Sequence, residues 1–310
     1  MRRPTTAPTP LLLAAVLLGA AALASACAGG PEEEGARWPP GGDAYAFDRP
    51  DARFELPARL REVSGLTLLD DRHLGAVQDE DGELFVIDYA TGEVVRELRF
   101  ARPGDYEGIE RVEDRVFVLR SDGELFSLRG WEGDTLQVAS GATGLRGSCD
   151  AEGLAYQPAE QRLLVACKER AGEGLDAFKG IYAYDLAGGR LSGEPVYLIE
   201  IAGFNRSVED EHMVDRRLRS ALSSTVDLSG FKPSALAVHP LTGETYVLSS
   251  VRKAVVVLGP EGVVTGVWAL PDELFRQPEG LAFLPSGDLF IASEGGTGGR
   301  GTLLRFDYRN

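Results

Sequence analysis

From residue 62 to the C-terminus the chain is a succession of short apolar runs separated by Gly, Asp, Ser and Thr. Runs of that length between turn residues predict β-strands joined by tight hairpins. The pattern also repeats. Five segments open alike: Glu62-Val-Ser-Gly-Leu66, Asp105-Tyr-Glu-Gly-Ile109, Asp150-Ala-Glu-Gly-Leu154, Lys232-Pro-Ser-Ala-Leu236 and Gln277-Pro-Glu-Gly-Leu281. Their central residues stand at 64, 107, 152, 234 and 279, so the spacings are 43, 45, 82 and 45 residues. Three of these match a four-stranded propeller blade of about 40–45 residues.

Each opening segment is followed by a second apolar run (74–78, 116–119, 163–167, 245–248, 289–292) and a third (84–88, 125–128, 181–185, 254–258, 303–307). Turn signals such as Asp81-Gly82, Asp122-Gly123, Thr242-Gly243 and Ser286-Gly287 lie between them. A fourth, outer run follows in four units, at 94–100, 135–139, 196–201 and 263–270. The fifth unit stops after three runs, and an unmatched run, 53–56, precedes the first unit. The expectation is an all-β fold, a five-bladed β-propeller whose N-terminal strand completes the last blade. Closure of that kind leaves no long sheet edge open. The interval of 82 residues keeps a six-bladed ring as the alternative. Within it, 206–223 reads as polar and helical, with Met213, Leu218 and Leu222 on one face, and predicts a helical insertion between blades three and four.

The N-terminus follows a different pattern. Arg2 and Arg3 precede an apolar stretch, 11–23, that is short for a bilayer span and ends Leu23-Ala-Ser-Ala-Cys27. Small residues before a single cysteine resemble a bacterial lipobox, in which the Cys27 thiol is acylated; ordinary signal cleavage after Ala26 is the alternative. Residues 1–27 are therefore expected as a signal peptide, 28–50, rich in Gly, Pro and Glu, as a flexible tether, and 51–310 as the propeller domain. Export permits a disulfide. Cys149 and Cys167 flank one predicted hairpin and are either bonded or a pair of small buried thiols.

Charge narrows the chemistry. The chain carries 32 basic and 48 acidic residues, net −16, which excludes a nucleic-acid partner, since a phosphate backbone requires clustered Lys and Arg. The repeated motif places one residue per blade at the start of the innermost strand. The resulting ring around the axis reads Ser64, Glu107, Glu152, Ser234 and Glu279. Oxygen donors suit a hard cation such as Ca2+, with Glu107, Glu152 and Glu279 as its carboxylates. Zinc would call for His or Cys, and His73, His212 and His239 hold unrelated repeat positions. Two carboxylates about 4 Å apart repel by roughly 4 kcal/mol at an effective dielectric near 20. A metal, a proton or a base must therefore compensate them. Lys168 and Lys232 are the nearby bases and Asp150 a further oxygen, so solvated or lysine-paired glutamates are the alternative to a metal site. A second polar set ends the second strands at the same mouth: Asp79, Glu80, Arg120, Lys168, Glu169, Ser249, Ser250, Ser293 and Glu294. The glycine-rich stretch 295–301 lies between strands and lacks the P-loop lysine.

These units, together with Asp79-Glu-Asp-Gly82, Leu248-Ser-Ser250 and Ser293-Glu294, resemble the SdiA-regulated, YjiK-like family from about residue 61 to the C-terminus. The resemblance implies a five-bladed propeller distantly related to NHL-repeat proteins, with a calcium site and no established enzymatic activity. The combined expectation is a monomeric, lipid-anchored, calcium-binding recognition module of the bacterial cell envelope. It would face the periplasm or the exterior and bind a small molecule, a glycan or an envelope protein. A metal-dependent hydrolase of lactonase, esterase or phytase type, with calcium in the channel, is the second expectation.

Overall fold

The computed structural model describes residues 44–145, 149–169, 171–200 and 230–309. The signal-like segment, Cys27, most of the tether and the expected helical insertion at 206–223 lie outside the described residues.

The described chain opens with β1 (Ala52–Glu55) and one 3-10 turn, Ala58–Leu60. Blade one is β2 (Val63–Leu68), β3 (His73–Gln78), β4 (Glu83–Asp88) and β5 (Glu93–Arg99). Blade two is β6 (Tyr106–Val112), β7 (Arg115–Arg120), β8 (Glu124–Arg129) and β9 (Gln137–Ala142). Blade three is β10 (Ala151–Gln157), β11 (Arg162–Cys167) and β12 (Phe178–Asp185), with two short outer strands, β13 (Arg190–Leu191) and β14 (Tyr197–Glu200), both paired to β12. Blade four is β15 (Ala235–Val238), β16 (Thr245–Ser249), β17 (Ala254–Leu258) and β18 (Val264–Ala269). Blade five is β19 (Pro278–Phe283), β20 (Leu289–Ser293) and β21 (Thr302–Phe306), completed by β1, which pairs antiparallel with β21 from Ala52↔Arg305 to Glu55↔Thr302.

Continuous apolar runs form the second and third strands because both faces of each blade are covered. Alternate side chains enter different junctions. On β4, Leu84 and Val86 pack toward blade two, while Phe85 and Ile87 pack toward blade five. On β20, Phe290 joins that same cluster, while Leu289 and Ile291 turn toward blade four. Five apolar clusters result, one per junction, and the cluster that unites Leu66 and Phe85 with Phe290 and Leu303 closes the ring. A fully buried Leu or Phe stabilises by roughly 1.5–3 kcal/mol, so each junction is worth many such increments.

Part of the stretch 28–50, expected as tether, packs against the propeller. Ala44, Tyr45 and Phe47 are buried in the cluster between blades four and five. The Tyr45 hydroxyl donates to Gly287 O at 2.5 Å, and Arg309 N donates to Ala44 O at 3.0 Å. Two aromatic residues fill an apolar groove there, a signal hidden by the surrounding glycine and proline. His239 is structural: its Nδ1 accepts from the amides of Leu241 and Thr242, each at 3.2 Å, and its Nε2 lies 3.0 Å from the Tyr45 hydroxyl.

Candidate functional site

The repeated motif owes its form to the axis of the ring. In four blades the ladder between the first and second strands shifts register at the motif: between Val63 and Gly65, Tyr106 and Gly108, Ala151 and Leu154, and Pro278 and Gly280. A bulge leaves a residue outside the ladder and re-aims its side chain. Ser64, Glu107, Glu152 and Glu279 fall in these interruptions. The glycine that follows permits the next blade to approach. A Cβ on Gly65 would stand 2.9 Å from Glu107 O, one on Gly108 2.8 Å from Glu152 O, and one on Gly153 2.9 Å from the backbone of Ala235. Blade four, with Ala235 in place of glycine, has a regular ladder.

The three ring glutamates come together at one mouth. Glu152 is 2% exposed, and Lys168, at the end of β11, donates its Nζ proton to Glu152 Oε1 at 2.6 Å. Glu279 is also buried and accepts from Gln277 Nε2 at 3.2 Å, with Ser250 and Ser234 beside it. Gln277 donates a second bond to Glu294 Oε1 at 2.7 Å. Glu107 is half-buried and hydrogen-bonded to Asp105. Each glutamate lies within electrostatic reach of the next, Glu107 of Glu152 and Glu152 of Glu279, and the Lys168 ammonium acts on all three. Ser64 is buried and donates to Tyr106 O at 2.5 Å, and the Ser234 hydroxyl lies 3.2 Å from Pro278 O. Both tie one blade to the next, and Ser234 is also hydrogen-bonded to the ring glutamate Glu279.

Burial makes this mouth a store of protons. The Glu107 carboxyl is pushed up to about 10, first by burial and then by the charges of Glu152 and Asp105. Glu294 is pushed up to about 8 by burial, with Glu279 and Asp79 adding to the effect. Asp79 rises to about 6 through burial and the neighbouring Glu62, Glu80 and Asp105, and its Oδ1 is buried without a hydrogen-bond partner among the described residues. Burial raises Glu152 as well, to about 8, although the Lys168 hydrogen bond and charge oppose the rise. Both carboxyls are thus held above the ordinary range, with Lys168 as the counter-charge nearest Glu152.

The remaining rim residues divide. Lys232 and Glu169 form an ion pair between blades four and three. Lys179, buried, donates to the carbonyl oxygens of Lys168, at 2.8 Å, and Glu169, and so fixes the loop that carries both side chains. Glu80 and Asp150 are exposed at the edge. Arg120 departs from the expected set, because Asp122 and Glu124 engage it at 2.7 and 2.6 Å. Cys149 and Cys167 form a disulfide, Cα–Cα 4.7 Å, directly beneath Asp150 and Lys168 in the chain. Asp105, Gln277 and Lys179 were not singled out in advance. The first two share a repeat position with Glu62, Asp150 and Lys232, two residues before the ring residue, so the alignment of the repeats contained that signal. Lys179 had none.

The donor chemistry fits a hard cation, since among the described residues the mouth offers carboxylate, hydroxyl, amide and backbone oxygens and no imidazole or thiol. As they stand, however, the glutamates are not a ready ligand set. Among the described residues no group of three or more His, Cys, Asp or Glu is arranged to hold a metal.

The fold and this mouth define a five-bladed β-propeller with an acidic, lysine-centred axial site. The sequence profile of the SdiA-regulated family matches residues 51–296, and the chain belongs to that family. Among solved structures it is similar to the glutaminyl cyclase of Myxococcus xanthus, 17% identical over 84% of this chain and 97% of that one, with a TM-score of 0.56. It is similar also to the PQQ-bound aldose sugar dehydrogenase of Streptomyces coelicolor, 13% identical over 84% of this chain and 100% of that one, TM-score 0.48. A nidogen/laminin complex matches 74% of this chain and 72% of that one at 14% identity, TM-score 0.45. At these identities the likeness is one of fold.

Proposed function

We propose that the chain is an exported, lipid-anchored recognition module of the bacterial cell envelope that takes up a cation, Ca2+ in the first instance, at the acidic mouth. A small molecule, glycan or envelope protein would bind across it. The observation that carries this reading is that Glu107, Glu152 and Glu279 all interact with the Lys168 ammonium, with Glu294 and Asp79 near Glu279 and Glu294 respectively. Buried and half-buried carboxyls that outnumber the nearby lysines form a site that gains from an added cation. Glu107, Glu152 and Glu279 are the side chains that would hold the ion, and its charge would take the place of the Glu107 proton.

Thermal denaturation of the full chain in calcium and in chelator tests this. Calcium should raise the midpoint through mass-action linkage. Glu107→Gln and Glu152→Gln should weaken that rise far more than Glu261→Gln on the exposed surface. An identical midpoint with and without calcium, or equal responses from all three variants, would reject the site.

One observation favours a second reading, a metal-dependent hydrolase. Glu107 is raised further than Glu152, whose hydrogen bond to Lys168 opposes the rise, and carboxyls whose environments push them apart suit acid–base chemistry. Calcium-dependent turnover of a lactone or ester panel, abolished by Glu107→Gln, would replace the recognition reading with this one.

A further inference from the structure

The axial channel has a second end, and there a single carboxyl, Glu110, stands beside a guanidinium, Arg111. Its middle is nearly shut, a gap of about 10 Å³ between Gly65, Gly108, Gly153 and the motif leucines. Beyond that constriction the C-terminal halves of the five inner strands surround a cavity of about 130 Å³. The repeat positions explain why there is room. Where blade two carries Glu110, the other blades carry Thr67, Ala155, Ala237 and Ala282. One position later come Leu68, Arg111, Tyr156, Val238 and Phe283. Small residues open the space, Leu68, Val238 and Phe283 wall one part of it, and Glu110 and Arg111 line it from blade two.

The two charged groups of this cavity are not equivalent. Glu110 is a structural acceptor: Thr67 Oγ1 donates to it at 3.0 Å, its neighbour's amide, Arg111 N, at 2.8 Å and Tyr156 N at 3.2 Å. It thereby joins blades one, two and three, and its burial holds its carboxyl up at about 7. Arg111 is half-buried, and its Nε is buried without a hydrogen-bond partner among the described residues. A buried donor left unsatisfied costs about 1–3 kcal/mol, more when charged, and a carboxylate is the acceptor that matches a guanidinium fork.

We propose that this cavity is a binding site for a small monocarboxylic acid with a short apolar tail, its carboxylate on Arg111 and its tail against Leu68, Val238 and Phe283. The volume equals that of about four water molecules at roughly 30 Å³ each, which limits the tail to a few carbons. The net charge of −16 disfavours a more highly charged anion.

Isothermal titration of the full chain with sodium pentanoate tests the proposal. Saturable binding is expected. Arg111→Met should weaken it by roughly tenfold or more, and Arg111→Lys by less, since the charge survives without the fork. Pentan-1-ol and pentylammonium should bind far more weakly than pentanoate. Glu152→Gln, at the other mouth, should leave pentanoate binding unchanged, so this site can stand or fall apart from the cation site. Across unbranched acids, affinity should rise by roughly fourfold per methylene until the cavity is full and then fall, a series that needs no variant. Absence of saturable pentanoate binding, equal affinity for pentan-1-ol, full affinity in a folded Arg111→Met, or an unlimited rise with chain length would each overturn it.

Discussion

Lys168 and Glu152 form the pair on which the acidic mouth turns. Removal of the ammonium strands a carboxylate that is 2% exposed. Breaking a buried pair from one side costs about 3–5 kcal/mol, while removing both charges is often tolerated. Lys168→Met should therefore lower the urea-unfolding free energy in chelator by that amount, and adding Glu152→Gln should restore most of it. A single variant as stable as the parent would mean that Glu152 is not ionised. The pH dependence follows from the same residues. Glu107 and Glu294 start from an ordinary value of 4.5 and are pushed up to about 10 and about 8. Between 4.5 and those values the folded chain holds protons that the unfolded chain has lost. Stability contributed by these protons is complete below the unfolded value and falls as pH rises through the folded ones. The calcium-free protein should accordingly lose stability from about pH 5 to about pH 8 through both groups, and on to about pH 10 through Glu107, and Glu107→Gln should flatten that slope. A flat profile in the parent would show that the mouth holds no extra protons.

At the scale of the element, the Glu-Gly-Leu motif is a bulge followed by a contact. The side chain in the bulge leaves the ladder, and the glycine admits the neighbouring strand to within backbone distance. Gly108→Ala and Gly153→Ala should each cost about 1–3 kcal/mol or more in chemical denaturation, because the added methyl meets backbone rather than a movable side chain. Gly141→Ala, with nothing within 4 Å of the new atom, should be nearly neutral. Equal effects at all three positions would contradict the blade contact. This element was largely legible in advance. Strand pattern, turn residues and repeat spacing located the first three strands of every blade, because they are properties of neighbouring residues. The outer strands were less so: β9 lies at Gln137–Ala142 rather than at 135–139, and β13 was not anticipated. An outer strand is half-exposed and its apolar signal correspondingly thin.

At the scale of the whole molecule, β1 and the aromatic residues before it hold the ends of the ring together. Tyr45 and Phe47 pack beside Phe306 and Tyr308, so the first and last described segments meet in one cluster. If the Cys27 reading is right, Cys27→Ser should move the protein from the membrane fraction to the soluble one after cell fractionation. A parent protein that is already soluble would reject lipid anchoring. The acidic mouth and the Arg111 cavity lie at opposite ends of one channel, with the motif glycines and leucines between them. Separate titrations with calcium and with pentanoate therefore report on separate ends.

The sequence alone determined the strands and their grouping into repeats, because period and alternation are local properties that repetition reinforces. The 82-residue interval left five or six blades open until the ring was seen to close with five among the described residues. Only the tertiary structure decided what individual side chains do. Lys168 pairs with Glu152, Ser64 serves a neighbouring carbonyl, Tyr45 joins the core and Arg111 stands over a cavity. Each outcome depends on which residue of another blade lies within a few ångströms, a distance set by closure of the ring and absent from any single repeat.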